Sequence, residues 1–593
     1  MKRKRILVMA LLCLILLLGV LTPYKKVQAE EQSFQQKSVE QIYEEAIEEL
    51  ITTKKAVGVT ATFVRDGKVT LQKGYGYSDK EQNLAVDPSV SGFRIGSVSK
   101  TFVAIAALIA EEDGLLDMNA DITDYLEDDF PELKYPVTME QLLTHTAGFE
   151  DLITGIAVKD KTELEPLSRV LRKYRPEQIM KPGEIISYSN YGIALAAYVI
   201  EKATGIDFAE YCEDNIFIPL GMSQTSFVYD KNNLVYSKAF LPSGEEAFEP
   251  YINIYPEGSV ITTAKDMSKY IQWLLEDQEI ILRNVSKDQL FARHFAMTEV
   301  QNGIGYTWNI KSRNDKMYYE KKGETVHFYS RIVLYPSCNS GFFFSANTYV
   351  PEEILNDVID KVTERLLGKL KKCNEKLGAS VKMEGTYINL RSNFTTAEKF
   401  ISYLIPEKMI RISGSLSRGY QLNGKEMKHI GNDVYDTPIG TVMLIEKDGK
   451  TLLTTNLAQT YMKLNVLQSP VMIAAILLLF GLSSLLCSIY LLINLIRRRD
   501  RPLLPAILCL LQFLGLFVLC IILIIGMSNY SILSYEIPIN ICTWSILIMS
   551  VLHIGYLLFT CIRSNRVKYI KLLCFHNAIS MVFCLLMVSL NLL

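Results

Sequence analysis

The apolar positions of this 593-residue chain follow three different rhythms. Across residues 38–54, Ile42, Ala46, Leu50 and Ile51 recur at helical spacing and predict an amphipathic helix. Strand-like runs at 57–65 and 68–76 flank Asp66-Gly67, a hairpin signal. Helices are predicted from Ser97 to about Glu112, closed by Gly114, and from about Asn190 to Ala203, with Gly205 just past the end. Strand-like runs return at 317–321, 328–335 and 341–346. Strands at both ends of this stretch with helices between them predict an α+β domain, one antiparallel sheet flanked by helices.

After a charged helix predicted over about 352–376 the rhythm shortens. Residues 383–464 are rich in brief β-like runs separated by Asn423-Gly424, Gly431-Asn432 and Asp448-Gly449, which predicts a small all-β domain. Four unbroken apolar segments follow, at 471–496, 503–527, 539–562 and 572–593. Each reaches the roughly 20 residues that a helix needs to cross a membrane core. The expected division is therefore 1–29, 30–371, 372–468 and 469–593, the first being an export signal. That signal has Lys2-Arg3-Lys4-Arg5, an apolar core over 6–21, and Val27-Gln28-Ala29 before a cleavage point at Glu30.

Charge and composition narrow the partners. With 62 Lys and Arg against 64 Asp and Glu the net charge is −2, which argues against nucleic acid. The mean hydropathy of +0.16 comes mainly from the two ends. Arg497, Arg498, Arg499 and Arg501 fill the first loop between apolar segments, and Arg563, Arg566, Lys568 and Lys571 the third, whereas 528–538 has no Lys or Arg. The positive-inside rule then puts the first and third loops in the cytoplasm and everything before Val471 outside the cell membrane. The expected protein is multi-pass, with membrane lipid as one partner and a small-molecule or peptide substrate as the other. Cysteine and histidine are scattered, with no C-x-x-C and no H-E-x-x-H, so neither a metal nor a cofactor is expected.

The candidate chemistry begins at Ser97-Val98-Ser99-Lys100, the one S-x-x-K in the chain. Residues three apart share a helix face, so Ser97 and Lys100 can touch. Phe102, Val103, Ile105, Ala106 and Ile109 form an apolar wall behind them, and desolvation there is expected to leave a neutral Lys100 amine that takes the serine proton. Tyr188-Ser189-Asn190 follows a Pro-Gly turn and directs Tyr188 and Asn190 to one cleft. Tyr251-Ile252-Asn253 and Tyr387-Ile388-Asn389 carry the same Y-x-N letters. Lys321-Lys322-Gly323 ends a strand and is the weakest of the three signals, because K-x-G recurs at Lys181, Lys376 and Lys447.

In this order the three motifs resemble the class C β-lactamase and penicillin-binding serine hydrolase family. Supporting segments are Phe93-Arg94-Ile95-Gly96, Leu142 to Phe149, Ile218-Pro219-Leu220-Gly221-Met222 and Thr262 to Met267. The resemblance implies a β-lactamase/transpeptidase-like fold, with Ser97 as acyl-forming nucleophile and Lys100 and Tyr188 as the proton-transfer pair. Asn190, Lys321 and Gly323 would bind substrate, and the backbone amides of Ser97 and Glu324 would form the oxyanion hole. Lys322 and Glu324 depart from the family's smaller residues, which counts against β-lactam recognition. His145 and His327 are expected to be structural. Gly385-Thr386-Tyr387 and Arg391 to Thr396 resemble the accessory β domain of large membrane-bound members. The implied activity is cleavage of an amide or ester, such as a D-amino-acid peptide. The alternatives are a prodrug-activating peptidase for an exported natural product, a β-lactamase, or a non-catalytic penicillin-binding sensor.

Overall fold

The structure is a computed structural model. It describes residues 36–589 apart from 54, 230–234, 300, 370–381, 397, 406–407, 416–417, 432, 438, 448, 456–458, 498–502, 529–535 and 564–569. The export signal expected at 1–29, most of the arginine-rich first loop and most of the third lie outside the described residues.

Seven antiparallel strands form the sheet of the first domain. In chain order they are β1 (Gly58–Arg65), β2 (Lys68–Asp79), β3 (Leu84–Ala85), β4 (Asn309–Arg313), β5 (Lys316–Glu324), β6 (Tyr329–Tyr335) and β7 (Ser340–Ala346), and in space they run β4-β5-β6-β7-β1-β2-β3. The β1–β2 hairpin turns on Asp66 and Gly67, whose φ values of 49° and 71° are both in the left-handed region that a tight two-residue turn requires. Alternation along β7 divides the core. Phe342 and Phe344 pack with Tyr43, Phe63 and Val358 on the side of helices α1 (Val39–Thr52) and α5 (Glu352–Leu367). Phe343 faces the opposite side, toward Phe102, Met267 and Tyr270.

That opposite side carries the helical region, with α2 (Lys100–Glu112), α3 (Asn190–Thr204) and α4 (Ala264–Leu275). Every residue of α2 from Lys100 to Ala110 is buried, the signature of a helix enclosed all round rather than lying on a surface. The helix predicted to open at Ser97 opens differently. Gly96–Ser99 is a 3-10 turn, and the α-helix begins at Lys100.

The second domain is a closed eight-stranded barrel in which Gly385–Asn389 pairs with both Met409–Ser415 and Thr460–Lys463. Tyr387, Ile412, Tyr420, Leu422 and Tyr461 fill its interior. A short helix, Lys399–Leu404, interrupts what the sequence predicts as all β. Four helices follow: α6 (Pro470–Ile496), α7 (Leu503–Ser528), α8 (Glu536–Arg563) and α9 (Ile570–Ser589). All four are long and apolar enough to cross a membrane.

The barrel sits against both neighbours. Ile388, Tyr403 and Met409 share an apolar cluster with Ile473, Ile476 and Phe480 of α6. Toward the first domain, Met180 and Ile185 share an apolar cluster with Leu390 and Leu452 of the barrel, and buried carboxylates are exchanged. Glu150 accepts the Phe394 and Thr395 amides at 2.6 and 3.0 Å, and Glu398 accepts the Ile153 and Thr154 amides, both at 2.8 Å. Burial pushes both carboxyls above the ordinary glutamate range, while those backbone donors pull the other way.

Candidate active site

Ser97 stands on the 3-10 turn because the backbone there has no room to move. A Cβ on Gly96, whose φ is 49°, would lie 2.5 Å from the Glu324 amide nitrogen, and a Cβ on Gly323 would lie 1.8 Å from the Ile95 carbonyl oxygen. Two glycines therefore press the serine turn edge to edge against β5, which sets the Ser97 and Glu324 amides beside each other.

Above this seam the three motifs converge. Lys100 Nζ donates to Ser97 Oγ at 2.8 Å, and Tyr188 Oη donates to the same oxygen at 2.7 Å. Asn190 is the first residue of α3, and its side chain lines the same pocket as Ser97, Tyr188 and Lys321. Lys321 Nζ donates to the Thr307 carbonyl at 2.6 Å. Burial first and the Lys100 charge second push the Lys321 amine well below the ordinary lysine range, with Glu257 opposing. The other Y-x-N copies stand elsewhere. Asn253 Oδ1 accepts the Glu165 amide, and Tyr387 Oη donates to Met383 O inside the barrel.

Lys100 meets a carboxylate as well as the expected apolar wall. The side chain is fully buried, but its Nζ meets Glu257 Oε2 and the Glu257 carbonyl, each at 2.6 Å. These two contacts hold Lys100 in one position under Ser97. Glu257 ends the 3-10 turn Tyr255–Glu257, far along the chain from Lys100.

His145 packs its ring on Tyr188, with centroids 4.2 Å apart, and its Nδ1 accepts the Ser189 amide at 3.3 Å. Burial, then the charges of Lys321, Lys100 and Arg391, hold the imidazole well below its ordinary range, so His145 is a neutral spacer that orients Tyr188. His145 and Thr307 both adopt left-handed backbone, with φ of 58° and 65°, at the rim of the site. His327 donates its backbone amide to Glu249 and does not line the pocket.

A cation reaches the site from outside the first domain. The Arg391 guanidinium, on the barrel, lies 4.8 Å from the centre of the Tyr188 ring and 3.4 Å from Asp151. Gln459, also of the barrel, completes the wall. The pocket encloses about 300 Å³. Lys322, Glu352 and Gln459 also line a wider groove of about 850 Å³ between the sheet and the barrel. The carboxylate of Glu324 is drawn to Arg331 at 3.1 Å, while its backbone stays beside Ser97.

Sequence reasoning missed Glu257 and Arg391. A single glutamate carries no spacing signal, whereas the segment from Arg391 to Thr396 stood out in the sequence without a role in the site.

The first domain resembles known proteins. The family model described as Beta-lactamase matches residues 43–364. The putative penicillin-binding protein PbpX of Bacillus subtilis (strain 168) is 29% identical over 223 residues, covering 37% of this chain and 54% of that protein. Protein flp of Staphylococcus aureus (strain N315) is 27% identical over 313 residues, covering 50% of this chain and 61% of that protein. The chain thus spans between half and two thirds of the length of these relatives. Among solved structures, SurE superposes with a TM-score of 0.52 at 18% identity, over 73% of this chain and all of SurE, which shows a shared fold.

Proposed function

Since the chain belongs to the Beta-lactamase family, we propose that it is a membrane-anchored serine hydrolase that opens an amide or ester outside the cell membrane through a Ser97 acyl-enzyme. The observation that carries this reading is the double contact on Ser97 Oγ, from Lys100 Nζ at 2.8 Å and Tyr188 Oη at 2.7 Å.

In the proposed cycle the Lys100–Tyr188 pair starts one proton short, as amine with phenol or ammonium with phenolate, and as Ser97 Oγ attacks the substrate carbonyl its proton fills that place. The carbonyl oxygen moves between the Ser97 and Glu324 amides, where preorganised donors are worth about 3–4 kcal/mol of barrier each. The same pair returns the proton to the leaving group, and water then releases the acyl chain. Asn190 and Lys321 hold the substrate's polar backbone. The Arg391 guanidinium makes the pocket suited to a substrate bearing a free carboxylate, and the adjoining groove gives room for an extended chain. A D-amino-acid peptide combines these features.

Intact-mass labelling with a fluorophosphonate and with a fluorescent penicillin tests the reading on the full-length protein. Wild type should gain one adduct and Ser97→Ala none. Labelling by the phosphonate alone separates a peptidase or esterase from a penicillin target. Wild-type protein inert to both reagents, or equal labelling of Ser97→Ala, sinks the proposal.

A further inference from the structure

The four-helix region holds a second buried cluster that the hydrolase chemistry does not use. Cys509 of α7, His553 of α8 and His576 of α9 are all fully buried, and each offers a ligand atom within 4.8 Å of the others. Cys509 Sγ stands 3.8 Å from His553 Nδ1 and 4.0 Å from its Nε2, and these are the contacts found for the His553 ring nitrogens among the described residues. The Cys487 thiol of α6, also fully buried, lies within hydrogen-bonding reach of Cys509. Residues of three helices therefore meet at one place, and a thiol of the fourth adjoins them through Cys509.

We propose that Cys509, His553 and His576 form a zinc site inside the helix bundle, and that the neighbouring Cys487 thiol turns in as the fourth, tetrahedral ligand when the ion binds. Three features of the cluster agree with this. The first is spacing. Zinc bonds of about 2.3 Å to sulfur and about 2.0 Å to nitrogen, at tetrahedral angles, put sulfur and nitrogen roughly 3.5 Å apart. The Cys509–His553 separation of 3.8 Å is close to that value and long for a useful hydrogen bond.

The second feature is charge. A dication in a hydrocarbon interior needs its charge cancelled where it sits. Two thiolates and two neutral imidazoles do this: zinc displaces one proton from each thiol and the site is neutral overall. The third feature is an outer ring that orients His576. Its Nδ1 meets Ser483 Oγ at 3.0 Å and its Nε2 meets Gln512 Oε1 at 2.8 Å, so whichever nitrogen binds, the other keeps a partner. Gln512 is itself held by donation to Ser550 Oγ at 2.9 Å. Depth is consistent as well. Cys509 follows the start of α7 by six residues and His576 follows the start of α9 by six, which sets both about 9 Å below the same end of the bundle.

The test uses full-length protein purified from membranes in detergent. Metal analysis should find about one zinc per chain. Cys509→Ser and His553→Gln should lower this at least tenfold, while Cys520→Ser, on α7 but outside the cluster, should leave it unchanged. Cobalt(II) exchanged into wild type should give a thiolate charge-transfer band that weakens by about half in Cys487→Ser. A wild-type measurement covers the case in which a variant fails to fold: zinc should block maleimide attack on Cys487 and Cys509, and a chelator should open it. Wild type that binds no stoichiometric zinc, zinc that survives both Cys509→Ser and His553→Gln, or equal alkylation with and without zinc each overturns the proposal. The last pattern would leave the cluster as interhelical polar packing. Copper lost in the same variants would overturn the choice of ion.

Discussion

The first domain and the barrel both place side chains in the Ser97 pocket, but they contribute different kinds of group. From the sheet and helices come Ser97, Lys100, Tyr188 and Glu257, locked to one another at 2.6 to 2.8 Å in a buried network. From the barrel come Arg391 and Gln459, and the Arg391 side chain is 42% exposed and balanced by Asp151 of the other domain. The contacts on Ser97 Oγ thus lie within the first domain, whereas part of the outer wall belongs to the barrel, joined to it by buried carboxylates and an apolar cluster. Such a division lets the wall vary without disturbing the chemistry. On this reading, changes in the core strike turnover and changes in the barrel strike substrate binding.

The sharpest way to break that contrast is Lys100→Met, which removes the amine under Ser97 and should lower kcat about 10²–10⁴-fold with KM little changed. Steady-state kinetics on a carboxylate-terminated peptide ester read this directly. A large KM effect instead would move Lys100 into substrate binding. Arg391→Ala should do the opposite, raising KM about 10–100-fold, as expected for losing a charge-assisted contact of about 1.5–3 kcal/mol, with kcat retained. The same ester with its carboxylate amidated should show no difference between the two proteins. If Arg391→Ala reduces kcat alone, the barrel takes part in the chemistry and the contrast fails.

The seam itself gives a smaller effect. Glu398→Ala leaves the buried Ile153 and Thr154 amides without their acceptor and should cost about 1–3 kcal/mol, read as a lower unfolding midpoint. KM should rise with it, because Asp151 and Arg391 adjoin the same seam. The smallest effect is in pH. His145 is held neutral in the fold, well below its ordinary 6.5, so the unfolded chain binds the extra proton. Its contribution to stability is full above that ordinary value and is lost as pH falls below it. The difference in unfolding midpoint between wild type and His145→Asn should therefore shrink from pH 7.5 to pH 5.5, and a difference that grows would mean the imidazole is charged in the fold.

Much of the core was legible because its signals are local. Ser97 and Lys100 are one helical turn apart, Asp66-Gly67 can make few turns other than the one observed, and the Pro-Gly before Tyr188 marks the bend that aims it. Lys321 was distinguishable from the other K-x-G copies because strands lie on either side of it. What escaped was long-range. The Lys100–Glu257 pair joins positions 157 residues apart, and no periodicity announces it. The apolar residues after Lys100 were read correctly as a wall, but the lysine also meets a carboxylate. Likewise Cys509, His553 and His576 look scattered along the chain, and three separate helices, α7 to α9, are needed to bring them together.

The barrel's position has a practical consequence for anyone cutting this protein into parts. The segment that matches the family ends at residue 364, before Arg391, Gln459 and the Glu398 carboxylate that grips the 153–154 backbone. A truncation at that boundary would keep Ser97, Lys100 and Tyr188 but breach the pocket on one side. The smallest portable unit that keeps the whole pocket is therefore the first domain with its barrel, through Lys463. Its barrel face at Ile388, Tyr403 and Met409, stripped of α6, would then need a polar redesign to stay in solution.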